Sequence, residues 1–214
     1  MLDITRTSAT LALFEKEVLM RLLAFTLSFL AAPLSAHEFW LEPHAYQIPA
    51  NGNLIADLVN GEEFSGGKQA FLPQRFAHFV SIYNGNVAPV IGRVGDVPAL
   101  SMPAIGDGLH VIAYQARPLT VGYDSWDKFQ KFVDHKDFGD VRSLHDARGL
   151  PEADFEEVYA RFSKSLMAAG SGVGRDIRTG LETEFVALTN PYTDDLSAGM
   201  QLQLFYGQDV RADV

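Results

Sequence analysis

The dipeptide Asn84-Gly85 separates two apolar segments, and it limits the fold of this chain more than any other feature of the sequence. Asn-Gly favours the tight turn of a β-hairpin, because both residues tolerate positive φ angles. The flanking segments, residues 76–83 and 87–94, are rich in β-branched and aromatic residues. Short apolar segments divided by turn residues continue on both sides of this hairpin. The pattern predicts a mainly β fold, an Ig-like β-sandwich, over residues 37–123.

The hydrophobic period changes after residue 123. Trp126, Phe129 and Val133 repeat at the spacing of an α-helix and follow a Ser that can begin one. We therefore expect a helix at this point, and the β-sandwich to be interrupted.

A second, longer helix is predicted from Pro151 to the residue before Gly170. Its apolar stripe would consist of Phe155, Val158, Tyr159, Phe162 and Leu166. Residues 124–169 are accordingly predicted to form a helical insertion, and the Gly-rich residues 170–180 a linker.

Two further strands are predicted near the C-terminus, at Glu182–Leu188 and Met200–Tyr206. Two strands cannot form a stable domain alone. Residues 181–214 therefore either complete the first sheet or begin a second β-sandwich that is truncated.

The segment Leu22–Ala32 is apolar, follows Arg21, and is followed by Leu-Ser-Ala at residues 34–36. This order is typical of a secretory signal peptide, and the apolar segment is too short to cross a bilayer. We expect residues 1–36 to be removed and the mature chain to be periplasmic or secreted. The acidic residues before Met20 fit such a signal poorly, so residues 1–19 are interpreted as a mis-called start.

The composition limits the possible partners. The formal net charge is −10, which disfavours binding to nucleic acid or to anionic lipid. The chain has no cysteine, so a disulfide scaffold and thiolate metal sites are excluded. A metal ion would have to be held by His, Asp, Glu, Asn, the backbone or the terminal amine.

His37 would be the first residue of the mature chain if cleavage follows Ala36. Its free amine and its imidazole Nδ1 could then chelate one ion, and such nitrogen donors suit Cu(II), Ni(II) and Zn(II), with copper favoured. His110 is the predicted second ligand, because it begins a strand. The alternative is that His110 replaces the Tyr that ties down a corner in Ig-like sandwiches. If His37 is not a ligand, it is simply the residue after the cleavage site.

The other histidines carry weaker predictions. His44 is expected to face away from His37, His78 to be a core or edge residue, and both His135 and His145 to be solvated. The common catalytic motifs of hydrolases, phosphate-binding enzymes and zinc enzymes do not occur, so a non-enzymatic protein is predicted.

Several segments together resemble one known family. Proteins whose mature chain begins His-(Asp/Glu)-Phe-Trp-Leu-x-Pro form the periplasmic family formerly labelled as the nickel transport complex NikM subunit, now classed as a domain of unknown function. The matching segments are HEFWLEP (37–43), GEEF (61–64), GLHVIAYQARP (108–118), EVYARFSKSL (157–166), GLETEFVALTNPY (180–192) and QLQLFYG (201–207). The resemblance implies export, a β-sandwich with a helical insertion, and an association with nickel or cobalt uptake. It also implies a second small β-sandwich, where this sequence ends with GQDVRADV.

Three hypotheses about function follow. The first is an accessory protein that binds nickel, cobalt or copper at His37 and His110 and assists a membrane transporter component, without itself spanning the membrane. The second is a metal-free interaction module that binds a protein or a glycan at the cell envelope. The third, ranked last, is a copper enzyme with a terminal-histidine site.

Overall fold

The computed structural model describes residues 38–211. The predicted signal peptide, its cleavage site and His37 lie outside the described residues. The strands are β1 (Glu38–Pro43), β2 (Gln47–Ile48), β3 (Asn53–Glu62), β4 (Ser65–Gln69), β5 (Phe76–Tyr83), β6 (Asn86–Pro89), β7 (Leu100–Pro103), β8 (Gly108–Ala116), β9 (Leu119–Tyr123), β10 (Phe155–Tyr159), β11 (Phe162–Ala169), β12 (Thr183–Ala187), β13 (Leu202–Tyr206) and β14 (Asp209–Arg211). The helices are α1 (Trp126–Lys136) and α2 (Val141–Ala147), and a short 3-10 helix spans Pro73–Arg75. Between residues 38 and 211, neither helix has the length and apolar character needed to cross a membrane.

Two sheets pack face to face, which confirms the predicted mainly β fold and its sandwich class. Sheet I contains β1, β3, β4 and β7, and sheet II has the strand order β2-β11-β8-β5-β6. The predicted hairpin joins β5 to β6 through Asn84 and Gly85, whose φ angles are +46° and +76°. Both values are positive, as the predicted hairpin turn requires.

The core lies between the two sheets. Leu54 and Leu100 of sheet I and Ile112 and Met167 of sheet II are completely buried. Four aromatic rings extend the core toward one end, with centroid distances of 5.4 to 6.4 Å between the pairs in contact: Phe71, Phe76, Phe79 and Tyr114. Such tilted and edge-to-face pairs fill the interior and add favourable ring contacts to the burial of apolar area.

Strand β8 is buried on both faces. Ile112 and Tyr114 point into the core between the sheets, so the alternating residues Leu109, Val111 and Ala113 face the other way. Those three residues are also at most 4 % exposed. Sheet I covers the first face, and the second face therefore needs a different cover.

The residues predicted to be a linker provide this second cover. The carbonyl of Val173 accepts a hydrogen bond from the backbone N–H of Leu109, at 3.0 Å. Gly174 has a φ of +153°, and a Cβ on it would lie 2.8 Å from the Cβ of Leu109. Only glycine fits at this position, because any side chain would push the segment away from β8.

The prediction of a long helix over residues 151–169 was wrong, because two strands, β10 and β11, occupy this segment. β11 pairs with β8 along its whole length, from Phe162–Gln115 to Ala169–Gly108. Members of the predicted apolar stripe that are four residues apart, such as Phe162 and Leu166, also lie on one face of a strand. The long pairing with β8 decided between the two patterns.

The helical insertion is therefore confined to α1 and α2, carried on the two-stranded ribbon of β9 and β10. α1 confirms the helix predicted from Trp126. The insertion has its own aromatic cluster, in which His145 packs between Trp126 and Phe155 at 4.8 Å from each ring. His145 is 5 % exposed and its Nε2 lies 2.8 Å from the Pro151 carbonyl, so the prediction of a solvated side chain was wrong.

The last strands form a sheet of their own, with the order β12-β13-β14, and this sheet has no strand pairing with sheet I or sheet II in the described chain. Both strands predicted for this region are present. They do not complete the first sheet. Their connection to the sandwich is made by side chains.

Lys164 of β11 makes the central part of that connection. Its ammonium group lies 2.8 Å from Oδ1 of Asp176 and 2.8 Å from Oε1 of Glu184. It also donates to the carbonyls of Ile177 and Phe185, at 2.8 and 3.2 Å. The side chain of Lys164 is 10 % exposed, so four oxygens replace the water that burial removes.

Glu184 on β12 is the buried counterpart of this lysine. Its carboxylate accepts hydrogen bonds from the backbone N–H groups of Thr179 and Gly180 as well as from Lys164. Burial raises the pKa of Glu184, but the lysine and the Thr179 donors outweigh burial and hold the pKa below its ordinary value. The charged carboxylate is thus the form that the fold requires.

Replacing Lys164 by Met should reduce the free energy of unfolding by about 3–5 kcal/mol, because two buried carboxylates lose their shared cation. Urea denaturation of the two proteins measures this difference. Lys128→Met is the matched control, since in the described chain Lys128 pairs with the exposed Asp124 and with no other carboxylate, and its loss should have no measurable effect. A loss at Lys164 no larger than that at Lys128 would contradict the structural role of the cluster.

Candidate functional site

His110 lies inside the sandwich, with none of its surface exposed. Its Nε2 accepts a hydrogen bond from the backbone N–H of Ile105, at 3.2 Å, so this nitrogen carries no proton. Nδ1 then carries the proton and donates it to the carbonyl of Gly108, also at 3.2 Å. The ring is stacked on Tyr83, with the centroids 4.8 Å apart.

These contacts bear on the predicted role of His110 as a metal ligand. Both ring nitrogens are hydrogen-bonded, and burial lowers the pKa of the imidazole, which stabilises its neutral form. A metal ion could bind His110 only by replacing one of the two hydrogen bonds, so the ligand role of this residue stays a prediction. The contacts match the alternative, in which His110 fixes the loop before β8.

His44 is the other histidine near β1, and it pairs with a carboxylate. Its Nε2 lies 2.9 Å from Oδ2 of Asp57, and the same oxygen accepts a hydrogen bond from Lys68 at 2.7 Å. Burial raises the pKa of Asp57, while Lys68 and His44 lower it more, so the carboxyl is held in its charged form. An ammonium group bound to this carboxylate makes the site unsuitable for a metal cation.

His78 and His135 are exposed. Across residues 38–211, no three His, Cys, Asp or Glu side chains are close enough together to hold a metal ion. Any site that uses the terminal amine must therefore combine His37 with fewer donors from the described chain.

One candidate donor lies where β1 begins. β1 and β3 are paired from Pro43–Ala56 to Glu38–Gly61, and β3 continues one residue further, to Glu62. Glu62 is thus the next residue of β3 beyond the last described pair, Glu38–Gly61. Its Oε1 is buried and has no hydrogen-bond partner in the described chain.

A bare carboxylate oxygen in the interior is costly, because burial removes its water without a replacement. Asn60, two residues earlier on the same face of β3, has a side-chain oxygen in the same condition. Neither residue was predicted from the sequence to be a metal ligand. In the sequence, Glu62 stood out only as part of the GEEF segment. The residues of that segment do not indicate that one oxygen of its carboxylate becomes buried.

The described residues define the class of the protein, a mainly antiparallel β-sandwich with a helical insertion and a separate C-terminal sheet. The profile of the family "Domain of unknown function (DUF4198)" matches residues 34–208, and the chain belongs to this family. No curated protein and no solved structure matches the chain.

The buried, neutral state of His110 has a consequence for stability at low pH. In the unfolded chain this imidazole binds a proton near its ordinary pKa of 6.5, but the folded protein binds it only at a lower pH. The contribution of His110 to stability should be complete above pH 6.5 and lost as the pH falls toward the lower, folded value. Protonation of Nε2 would also break its hydrogen bond with Ile105, because two N–H donors would then face each other.

This prediction is tested by urea denaturation above and below the ordinary pKa of histidine. On acidification, the His110→Gln variant should lose less stability than the unaltered protein. The His78→Gln variant, changed at an exposed position, should lose as much as the unaltered protein. If the His110 variant does not fold, NMR titration of the unaltered protein gives the same information. A His110 ring that is protonated at the ordinary pKa of histidine would contradict the prediction.

Proposed function

We propose that this protein is an exported, non-enzymatic accessory that binds a first-row transition-metal ion at the mature N-terminus. The amine and the imidazole Nδ1 of His37 supply two nitrogen donors once the signal peptide has been removed. Ni(II), Co(II) and Cu(II) are the ions that such donors favour, with Cu(II) bound most tightly at equal availability.

We include Glu62 in the proposed site as a third donor, because two nitrogen donors alone form a weak site. The last described pair of β1 and β3 is Glu38–Gly61, and Glu62 is the next residue of β3. Extending this register by one residue would bring position 37 opposite Glu62. A cation held by the terminal amine would then give the buried Oε1 a partner, which it does not have among residues 38–211.

The proposed biological role is nickel or cobalt uptake in the periplasm, together with a membrane transporter component. The similarity of the HEFWLEP segment to the former NikM subunits supports this choice of ion and process. The segment order before residue 37 supports export. In this role the ion is cargo, so the site has to bind and release it and needs no reacting group.

The processed protein, beginning at His37, should bind Ni(II) and Cu(II) in calorimetric titrations near pH 8, where the amine has a reference pKa of about 7.7–8.0. Adding one alanine before His37 removes the chelating amine, and Glu62→Gln removes the carboxylate. Each change should weaken binding at least about tenfold, since even outer-shell changes have effects of that size. Affinity should fall as the pH is lowered and the amine is protonated.

His78→Gln is the matched control, because it removes an exposed imidazole distant in sequence from β1 and should leave the affinity unchanged. Equal affinity in the alanine-extended protein would exclude the terminal amine. A melting temperature that does not change on adding Ni(II), Co(II) or Cu(II) would favour the metal-free interaction module, because an ion bound only by the folded state must stabilise it.

A further inference from the structure

A cavity of about 170 Å³ opens between sheet I and sheet II at the end of the sandwich where β1 begins. Its apolar wall is formed by Phe39 of β1, Leu58 of β3, Phe76 of β5 and Tyr114 of β8. A cavity of roughly 150 Å³ in a protein interior is large enough to bind benzene. The space therefore accepts one group of about the size of a single ring.

Two arginines, Arg75 and Arg161, line the same cavity. The end of β8 fixes both of their backbones: the N–H of Arg117 donates to the carbonyl of Arg75, and the N–H of Ala116 donates to that of Arg161, each at 2.9 Å. The arginines thus flank β8 on its two sides. Since neighbouring strands are about 4.8 Å apart, their backbones are about 10 Å apart, with β8 between them.

Within residues 38–211, neither guanidinium group has an acidic partner, and that of Arg161 lies 5.2 Å from the ring centroid of Tyr159. No carboxylate between residues 38 and 211 lies within the 4.0 Å of an ion pair from Arg75 or Arg161. The residues that line the cavity also include no Asp or Glu. The net charge of the chain is −10, but these two cations line a cavity that has both polar and apolar walls and no carboxylate among its lining residues.

The hydroxyl group of Tyr114 is within the field of both cations. Burial raises the pKa of this phenol, and the positive charges of Arg75 and Arg161 partly oppose the rise. Asn60, whose side-chain oxygen has no partner in the described chain, adds an amide to the same wall. Rotation about its last side-chain bond presents Nδ2 as a donor instead.

We propose that this cavity binds a small organic monocarboxylate whose apolar body is about one ring in size. The carboxylate would accept hydrogen bonds from Arg75 and Arg161, which suit its planar geometry, while the body packs against Phe39, Phe76 and Tyr114. The positive field excludes cations, and the apolar wall distinguishes an organic acid from an inorganic anion. This proposal does not depend on metal binding at His37.

Benzoate is the probe, because it combines one carboxylate with one ring, and benzamide is its neutral counterpart of nearly the same shape. Binding is measured by NMR titration of the processed protein in the presence of EDTA. Benzoate should saturate and shift the signals of residues that line the cavity. Benzamide should bind at least about tenfold more weakly, because it lacks the charge.

Arg75→Gln and Arg161→Gln should each weaken benzoate binding at least about tenfold. Arg117→Gln is the matched control: it removes the same charge from an exposed neighbour outside the cavity, and binding should be retained. The alanine extension before His37 should also leave benzoate binding unchanged, which separates this test from that of the metal site. Unchanged melting temperatures establish that the variants fold.

Three results would overturn the proposal. Benzoate could fail to saturate the unaltered protein, or it could bind the two arginine variants as tightly as the Arg117 variant. Inorganic phosphate could also compete with benzoate at equal affinity, which would show that the site does not recognise the apolar body of the ligand. Saturable benzoate binding that depends on both arginines would establish the site.

Discussion

The burial of β8 on both faces is the constraint on which the rest of the structure depends. A strand with apolar residues on both sides has to be covered twice, and sheet I can cover only one side. The second cover comes from residues after Ala169, which lie on Leu109 and beside Val111. β8 also holds His110 in its neutral form and fixes the backbones of Arg75 and Arg161 on either side. The interior of the fold, the buried histidine and the proposed carboxylate site thus all depend on the same strand.

The C-terminal segment that forms this second cover is attached to the sandwich by buried ion pairs and not by strand pairing. Lys164 stands on β11, next to β8, and its ammonium group is enclosed by oxygens from the C-terminal segment. Buried ion pairs add little net stability compared with apolar packing, but losing one partner is expensive. The arrangement therefore favours the one attachment position in which Lys164 meets both carboxylates.

Local patterns predicted much of the fold, and contacts between distant residues explain the rest. Asn84-Gly85 marked a real hairpin and Trp126 the start of a real helix, because turn chemistry and helical spacing are local. The segment after Pro151 contained both a helical and a strand pattern, and pairing with β8 selected the strand. The candidate donor Glu62 and the pair Arg75 and Arg161 were not predicted, because each acquires its surroundings from strands far away in sequence. The resemblance of HEFWLEP and the other segments predicted a family of unknown function, and this part of the prediction is confirmed, because it depends on residue identity and not on packing.

The ribbon of β9 and β10 has a consequence for how this family can vary. It leaves the sandwich at the end of β8 and returns at the start of β11, and these two strands are already hydrogen-bonded neighbours. A tight turn could close the same gap without altering a single pair inside the sandwich. The α1–α2 arm is accordingly a module that natural selection can lengthen, exchange or discard while the scaffold beneath it persists.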